Sequence, residues 1–421
     1  MAGPRPADLP AYAVADVKSA LLAAGASGTI YSLVMPESEA ALAAVLAGPG
    51  FLDRYREPWT QKQDSMHEIY FERWLGWSAP VVAMRGEDFP FRYPTAGASE
   101  AIFKLIAEYA AESRAAGREP AVHMFEGEYE GFAAYAEALK VRIVRHDRTA
   151  WRDVPATLDR DSQFWISQPS AIDGGIWPHF EAFAAAVAET GRGARLIPDL
   201  TYVGSVARDY RIALDSPAIP SVVISHSKPF GGYYHRVGGV LARREHPSLF
   251  GNKWFKNLLS LAWGTEMMDR HGVFDLPRKY RPVQEEAVRR VAALLGLATP
   301  LPLSAGEEGP TASAVGGEGL AESGVQTLPS QAFGLGPSSP VRTGEGLKGD
   351  RSTLMPADVL LLATAVPHSG LPPVLNNVLR GSPAEQVVRL CLTPAMTCLI
   401  DPAMAPATAP GLQSAWDRLG G

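Results

Sequence analysis

The residues best suited to chemistry in this chain are Lys228 and Arg236, eight positions apart in the run Ser225-His226-Ser227-Lys228-Pro229-Phe230-Gly231-Gly232-Tyr233-Tyr234-His235-Arg236. A lysine amine forms a Schiff base with an aldehyde when a rigid element holds it close by. An arginine fork matches a phosphate dianion better than any other side chain. The strand-like Ser221-Val222-Val223-Ile224 just before the run supplies a rigid mount. The pair suits one ligand carrying both an aldehyde and a phosphate, as pyridoxal 5'-phosphate does. The same run also reads as an ordinary solvated loop, so the choice depends on residues elsewhere.

Upstream, Leu196-Ile197-Pro198-Asp199-Leu200-Thr201-Tyr202 is an apolar strand ending in an acid, with a phenol three residues on. A buried carboxylate at Asp199 can keep a pyridine nitrogen protonated, so that the ring draws electrons from a substrate's alpha carbon. Tyr202 can then hydrogen-bond the ring hydroxyl oxygen. A helix-capping Asp beside a core Tyr is the bland alternative. In Tyr93-Pro94-Thr95-Ala96-Gly97-Ala98-Ser99-Glu100 a small-residue turn leads into Ile102, Leu105, Ile106 and Tyr109 at helical spacing. The free N–H groups of Gly97, Ala98 and Ser99 at such a helix start make an anion site, to which Ser99 adds a hydroxyl. A serine there also serves as a simple cap. Tyr129, in Glu126-Gly127-Glu128-Tyr129-Glu130-Gly131-Phe132, can stack on a cofactor ring or fill a core.

In chain order, the glycine turn, the aromatic, the Asp with its Tyr, the Ser-x-x-Lys and the following Arg resemble the fold-type I pyridoxal-phosphate enzymes. The nearest pattern is that of the class I/II aminotransferases, of the aspartate and histidinol-phosphate type. The resemblance is strongest over residues 90 to 240. It implies that Lys228 carries pyridoxal 5'-phosphate as a Schiff base and shuttles a proton, that Asp199 pairs with the pyridine nitrogen, and that Tyr202 contacts the ring hydroxyl. It also implies that Tyr129 stacks on the ring, while Gly97, Ala98, Ser99, Ser225 and Arg236 hold the phosphate. Arg389 lies in the apolar run Gln386-Val387-Val388-Arg389-Leu390-Cys391-Leu392 and needs an anionic partner there. In the resembling family such an arginine grips the substrate's alpha-carboxylate; a structural ion pair is the alternative. Asp53-Arg54-Tyr55-Arg56-Glu57-Pro58 is similar to an Arg-Tyr-x-x-Pro segment that places a tyrosine on the neighbouring subunit's cofactor phosphate, which implies a homodimer. A surface-loop role for Tyr55 stays open.

The chain departs from the family at Ser167-Gln168-Pro169-Ser170-Ala171-Ile172-Asp173-Gly174, where Asn-Pro-x-Asn-Pro-Thr-Gly is usual. Ala171 falls where an asparagine normally donates to the ring hydroxyl, and Gln168 or Ser170 is the candidate to replace it. Loss of that donor would favour other reactions on the same cofactor: decarboxylation, elimination, cyclisation or oxidase chemistry. The expected activity is amino-group transfer between an amino acid and a keto acid. A non-catalytic cofactor-binding sensor is a third possibility, set against the absence of a spare N-terminal module.

The surroundings suit such an enzyme. The chain has 421 residues, 46% of them hydrophobic, and a net charge of -6 without any basic cluster, which argues against a nucleic-acid partner. Cys391 and Cys398 are the only cysteines, and no histidines stand at metal-ligand spacing. Reduced thiols, no metal, no signal pattern and no membrane-length apolar run point to the cytoplasm. Strand-like runs at 121–125, 141–144, 164–167, 195–198 and 222–225 alternate with helical patterns such as 177–190. That alternation predicts an α/β fold, a mainly parallel sheet with helices on both faces. The expected division is an N-terminal part of a small domain over 1–75, a large cofactor domain over 76–279, and the rest of the smaller α+β domain over 280–421. Helices are expected at 12–26, 37–47, 280–296 and near 412–419. The Gly, Ser and Pro-rich 301–352 reads as a flexible insertion.

Overall fold

The computed structural model describes residues 17–19, 21–56, 64–254, 257–300, 352–367, 371, 375 and 379–404. The insertion expected over 301–352 lies, Ser352 excepted, outside the described residues, as does the helix expected near 412–419. Described residues on both sides of that stretch belong to one compact unit.

Helices α1 (Pro36–Ala47), α2 (Pro49–Arg56) and α3 (Asp64–Ser78) precede the main sheet. That sheet comprises β1 (Phe91–Thr95), β2 (Ala121–Phe125), β3 (Arg142–His146), β4 (Gln163–Ser167), β5 (Arg195–Asp199), β6 (Ser221–Ser225) and β7 (Gly238–Ala242), in the order β1-β7-β6-β5-β4-β2-β3. From β3 to β6 every pairing is parallel; β7 runs antiparallel to both its neighbours. Helices α4 (Ala98–Ala115), α5 (Glu130–Ala138) and α6 (Phe180–Glu189) lie between its strands in sequence, and α7 (Leu258–Arg270) and α8 (Asp275–Leu295) follow them.

The apolar runs that marked the strands reflect coverage of both sheet faces. Every residue of β2, β4 and β6 is buried, as strands sandwiched between helices require. Alternate side chains serve different cores. Phe164 and Ile166 join Phe183 and Val187 of α6, whereas Trp165 joins Ile102, Leu105 and Ile106 of α4. Each helix meets the sheet through a stripe at three- and four-residue spacing. Fully burying a side chain of this size contributes roughly 1.5–3 kcal/mol.

A second, antiparallel sheet holds β8 (Thr353–Pro356), β9 (Leu362–Val366), β10 (Arg380–Ser382) and β11 (Val387–Cys391), in the order β8-β9-β11-β10. Helix α9 (Thr393–Ile400) follows it. The helix expected at 280–296 begins earlier, at Asp275, and stops where Gly296 turns left-handed at φ 66°. The N-terminal chain docks on β11: Ser27 N–H donates to Cys391 O at 2.9 Å, and Cys391 N–H returns the bond to Ser27 O at 2.8 Å. This pairing brings residues 29 and 30 to the carboxyl end of the main sheet. No helix of the described residues is long and apolar enough to cross a membrane.

Candidate active site

Strands β4, β5 and β6 end at Ser167, Asp199 and Ser225, and a cavity of about 410 Å³ opens beside those ends. Ligands bind in that crevice in parallel α/β sheets. Ser99, Tyr129, Asp199, Tyr202, Lys228 and Arg236 share its wall, joined by Ala98 and Ser225. The structure thus brings together residues that the sequence scatters over 130 positions and more.

Lys228 stands three residues beyond β6, and its Nζ donates to the main-chain carbonyl of Ile30 at 2.8 Å. Burial lowers its pKa to about 8, and the nearby guanidinium groups of Arg236 and Arg389 push the same way. Asp199 is 5% exposed. The main-chain N–H of Thr201 donates to its Oδ1 at 3.0 Å, and the Thr201 hydroxyl donates to the same atom. These bonds favour the carboxylate, but burial outweighs them and pushes the group up to about 6. Burial also pushes the Tyr202 phenol above its ordinary value, so it is a neutral donor at physiological pH.

Arg236 adopts a left-handed backbone, φ 51°, and its Nη2 donates to Ala96 O at 2.8 Å. Gly97, at φ 80°, is the residue just before α4, and a Cβ there would stand 3.0 Å from Arg236 Nη2. The glycine therefore lets the guanidinium lie against the helix start, beside the Ala98 and Ser99 amides. Ser225 Oγ donates to Ser227 Oγ at 3.1 Å on the same wall. Ser99 also hydrogen-bonds Tyr129, whose phenol is raised by burial.

Arg389 is 1% exposed and lies behind the wall instead of on it. Its Nη1 donates to the carbonyl of Ala171, a wall residue, while Nε and Nη2 have no hydrogen-bond partner among the described residues. The structural ion pair considered for it has no anionic partner among those residues. Tyr55 sits on α2, and its side chain lies outside the described residues.

The departure from the family pattern is visible here. Ala171 is on the wall, where it offers no side-chain donor. Neither Gln168 nor Ser170 replaces it. Gln168 exchanges hydrogen bonds with the Trp177 backbone, and Ser170 Oγ accepts from Arg148 and from Ile172 N–H. Arg148 is 4% exposed and pairs with Asp173 at 2.6 Å and Glu385 at 2.9 Å, fastening this loop to the turn before β11. The sequence reading missed Thr201, Ser227, Thr29, Ile30 and Glu130 as wall residues. Ser227 and Thr201 stand inside runs already singled out; no local signal marks Thr29 or Ile30. Among the described residues no group of acids, histidines or cysteines is arranged to hold a metal.

No family model matches the sequence, and no curated protein matches it. Solved structures do. A Thermus thermophilus aspartate aminotransferase mutant superimposes with a TM-score of 0.55 at 11% identity, over 99% of both chains. An Escherichia coli protein with a methionine aminotransferase function gives 0.54 at 12% identity, over 100% of this chain and 99% of the other. A pyridoxal-phosphate-bound C-S lyase from Staphylococcus hominis gives 0.53 at 11% identity, over 93% and 88%. With a seven-stranded, mainly parallel sheet and a second antiparallel sheet covered end to end by these structures, the chain has the fold of the fold-type I pyridoxal-phosphate enzymes.

Proposed function

We propose that this protein is a pyridoxal-phosphate-dependent aminotransferase acting on an amino acid and a keto acid. The observation that carries this reading is the arrangement of charge. Lys228 and Arg236 line one cavity and Arg389 lies directly behind its wall at Ala171, yet the hydrogen bonds of all three go to main-chain carbonyls. The Asp199 carboxyl is buried, with Thr201 as its only hydrogen-bond partner among the described residues. The two of these that are buried outright, Asp199 and Arg389, are costly unless a ligand completes them. A ligand with a phosphate, an aldehyde and a protonated ring nitrogen completes Arg236, Lys228 and Asp199 respectively, and a substrate carboxylate completes Arg389.

The chain's residues then divide the work. Arg236, Ser99, Ser225 and the start of α4 bind the phosphate; Tyr129 covers a ring face; Asp199 holds a protonated ring nitrogen; Tyr202 donates to the ring oxygen. When bound, pyridoxal phosphate supplies an electron sink for the bonds at the substrate's alpha carbon. Lys228 Nζ removes the alpha proton and would deliver it to the carbon of the cofactor's aldehyde group, not back to the alpha carbon. Its lowered pKa leaves much of it neutral near pH 8. Arg389 orients the substrate through its carboxylate.

Incubation with pyridoxal phosphate and a panel of amino acids, with assay of the matching keto acid, tests the reading. Keto-acid formation coupled to amination of a second keto acid is expected; no turnover with any member of the panel would overturn it. The alanine at position 171 favours a second reading, another reaction of the same cofactor. Release of carbon dioxide, a thiol or ammonia in that assay would select it. As to assembly, the Tyr55 segment supports a homodimer in which each subunit completes its neighbour's phosphate site. Sedimentation as a fully active monomer at micromolar concentration would refute the dimer.

A further inference from the structure

Glu128 is 7% exposed and ends the turn between β2 and α5. It is absent from the cavity wall but reaches it through a relay. Its Oε1 accepts the Ser167 N–H at 3.0 Å, and its Oε2 accepts the Ser167 hydroxyl at 2.6 Å. Ser167 Oγ in turn accepts the Ala171 N–H at 2.6 Å. The Ala171 carbonyl accepts from Arg389 Nη1. The contacts run from Glu128, which burial raises to about 7, through the Ala171 backbone to the guanidinium, and Ser167, Ala171 and Arg389 are each 2% exposed or less.

Each link sets the next. A serine hydroxyl has one hydrogen to donate, and Ser167 donates it to Glu128 Oε2; the lone pairs of Ser167 Oγ are left for Ala171 N–H. That bond holds the peptide that Ala171 shares with Ser170, while the next peptide, which carries the Ala171 carbonyl, is held through Ile172 N–H on Ser170 Oγ. The Ala171 carbonyl is the only hydrogen-bond acceptor that Arg389 has among the described residues, so the direction of that carbonyl decides where the free edge of the fork points. The turn is held on its other side too. Gly127 has φ 86°, and a Cβ there would stand 2.5 Å from Gly381 O, on the strand paired with β11 beside Arg389.

We propose that Glu128 is a positioning residue for recognition of the substrate carboxylate: it fixes Ser167, Ser167 anchors the backbone at Ala171, and the Ala171 carbonyl aims Arg389. The inference rests on the reading of Arg389 as the carboxylate grip. It goes beyond that reading by assigning the aim of the grip to a glutamate side chain outside the cavity.

The test compares wild type, Glu128→Gln, Ser167→Ala and the double variant. It measures kcat and KM for the best amino acid, and the affinity for the corresponding amine without its carboxylate. Loss of one hydrogen bond in the relay is expected to raise KM about 5- to 10-fold, with kcat and amine affinity changed less than about two-fold. The double variant is expected to be no worse than the poorer single one, because both break one chain. Equal weakening of amino acid and amine, a fall in kcat at constant KM, or multiplying effects would overturn the inference. Ser167→Ala carries the same comparison if Glu128→Gln fails to fold by circular dichroism. Arg389→Lys in the same assay separates the two levels. If it discriminates amino acid from amine while Glu128→Gln does not, the relay alone is wrong. If Arg389→Lys does not discriminate either, the grip itself is wrong, and the relay falls with it.

Discussion

Lys228 Nζ donates its hydrogen bond to the main-chain carbonyl of Ile30, 198 residues earlier in the chain, at 2.8 Å. A neutral carbonyl holds the amine in place without an anion to stabilise its proton. A carboxylate there would raise the lysine's pKa; with the carbonyl, burial governs and the group falls to about 8. The contact depends on the pairing of Ser27 with Cys391, so the N-terminal segment shapes the reactive amine.

Lys228→Ala removes that amine and should abolish the visible absorbance that added pyridoxal phosphate acquires on the wild-type protein. Turnover should fall by roughly three orders of magnitude or more, the upper range for loss of a general acid-base group. Far-ultraviolet circular dichroism should be unchanged. Normal turnover in this variant would remove Lys228 from the mechanism.

Asp199→Asn should separate stability from activity. The folded pKa of about 6 lies above the ordinary 3.8, so the folded protein without cofactor holds this proton more tightly than the unfolded chain does. The associated stability is present at low pH and is lost as pH rises through about 6, leaving a buried charge that costs up to roughly 3 kcal/mol at pH 8. Asparagine carries no charge and keeps an oxygen for Thr201. The melting temperature of the cofactor-free variant should therefore exceed that of wild type at pH 8, with the difference shrinking toward pH 4, while turnover falls sharply. A lower melting temperature at pH 8 would contradict the assignment of the burial penalty.

Gly97→Ala probes the phosphate end. A Cβ on a residue at φ 80° is strained and would meet Arg236 Nη2 at 3.0 Å, so the guanidinium must shift. The strain alone costs about 1–2 kcal/mol. The expected result is a modest loss of melting temperature with a larger loss of pyridoxal-phosphate affinity, measured by titration. Unchanged affinity would place the phosphate elsewhere.

The sequence showed what depends on near neighbours and hid what depends on distant pairing. Strands β2, β4, β5 and β6 were legible because burial on both faces demands contiguous apolar residues, and Asp199 and Lys228 stand out as polar groups directly after such runs. The flanking β1 and β7 were not read. Phe91-Arg92-Tyr93-Pro94-Thr95 contains an arginine and a proline, and Gly238-Gly239-Val240-Leu241-Ala242 opens on two glycines; their antiparallel partners specify them instead. Ile30 at Lys228 and Glu128 at Ser167 had no local signature either, because each contact forms only when the sheets assemble. Arg389 was found for the opposite reason: one charge within an apolar strand is conspicuous in any context.

Arg389→Lys should raise KM for an amino-acid substrate by about tenfold or more. An ammonium is a point charge and cannot replace a two-pronged fork whose other edge is already bonded to Ala171. Binding of a carboxylate-free amine should hardly change. Unchanged kinetics would return Arg389 to a structural role.

The rate at which the cofactor-free protein captures pyridoxal phosphate should report the lowered pKa of Lys228. Only the neutral amine attacks an aldehyde, and a lysine with the ordinary value of 10.5 is almost wholly protonated at pH 8. With its pKa at about 8, half of Lys228 is neutral at that pH. The capture rate, followed by stopped-flow absorbance, should climb through pH 7 and 8 and level off above about pH 9. The same shift means the folded protein binds fewer protons than the unfolded chain between about pH 8 and 10.5, so this group's contribution to stability increases with pH across that window. A capture rate that keeps rising past pH 10 would show a lysine with a solvent-like pKa, and Lys228 would then not be held in the buried setting that its bond to Ile30 describes.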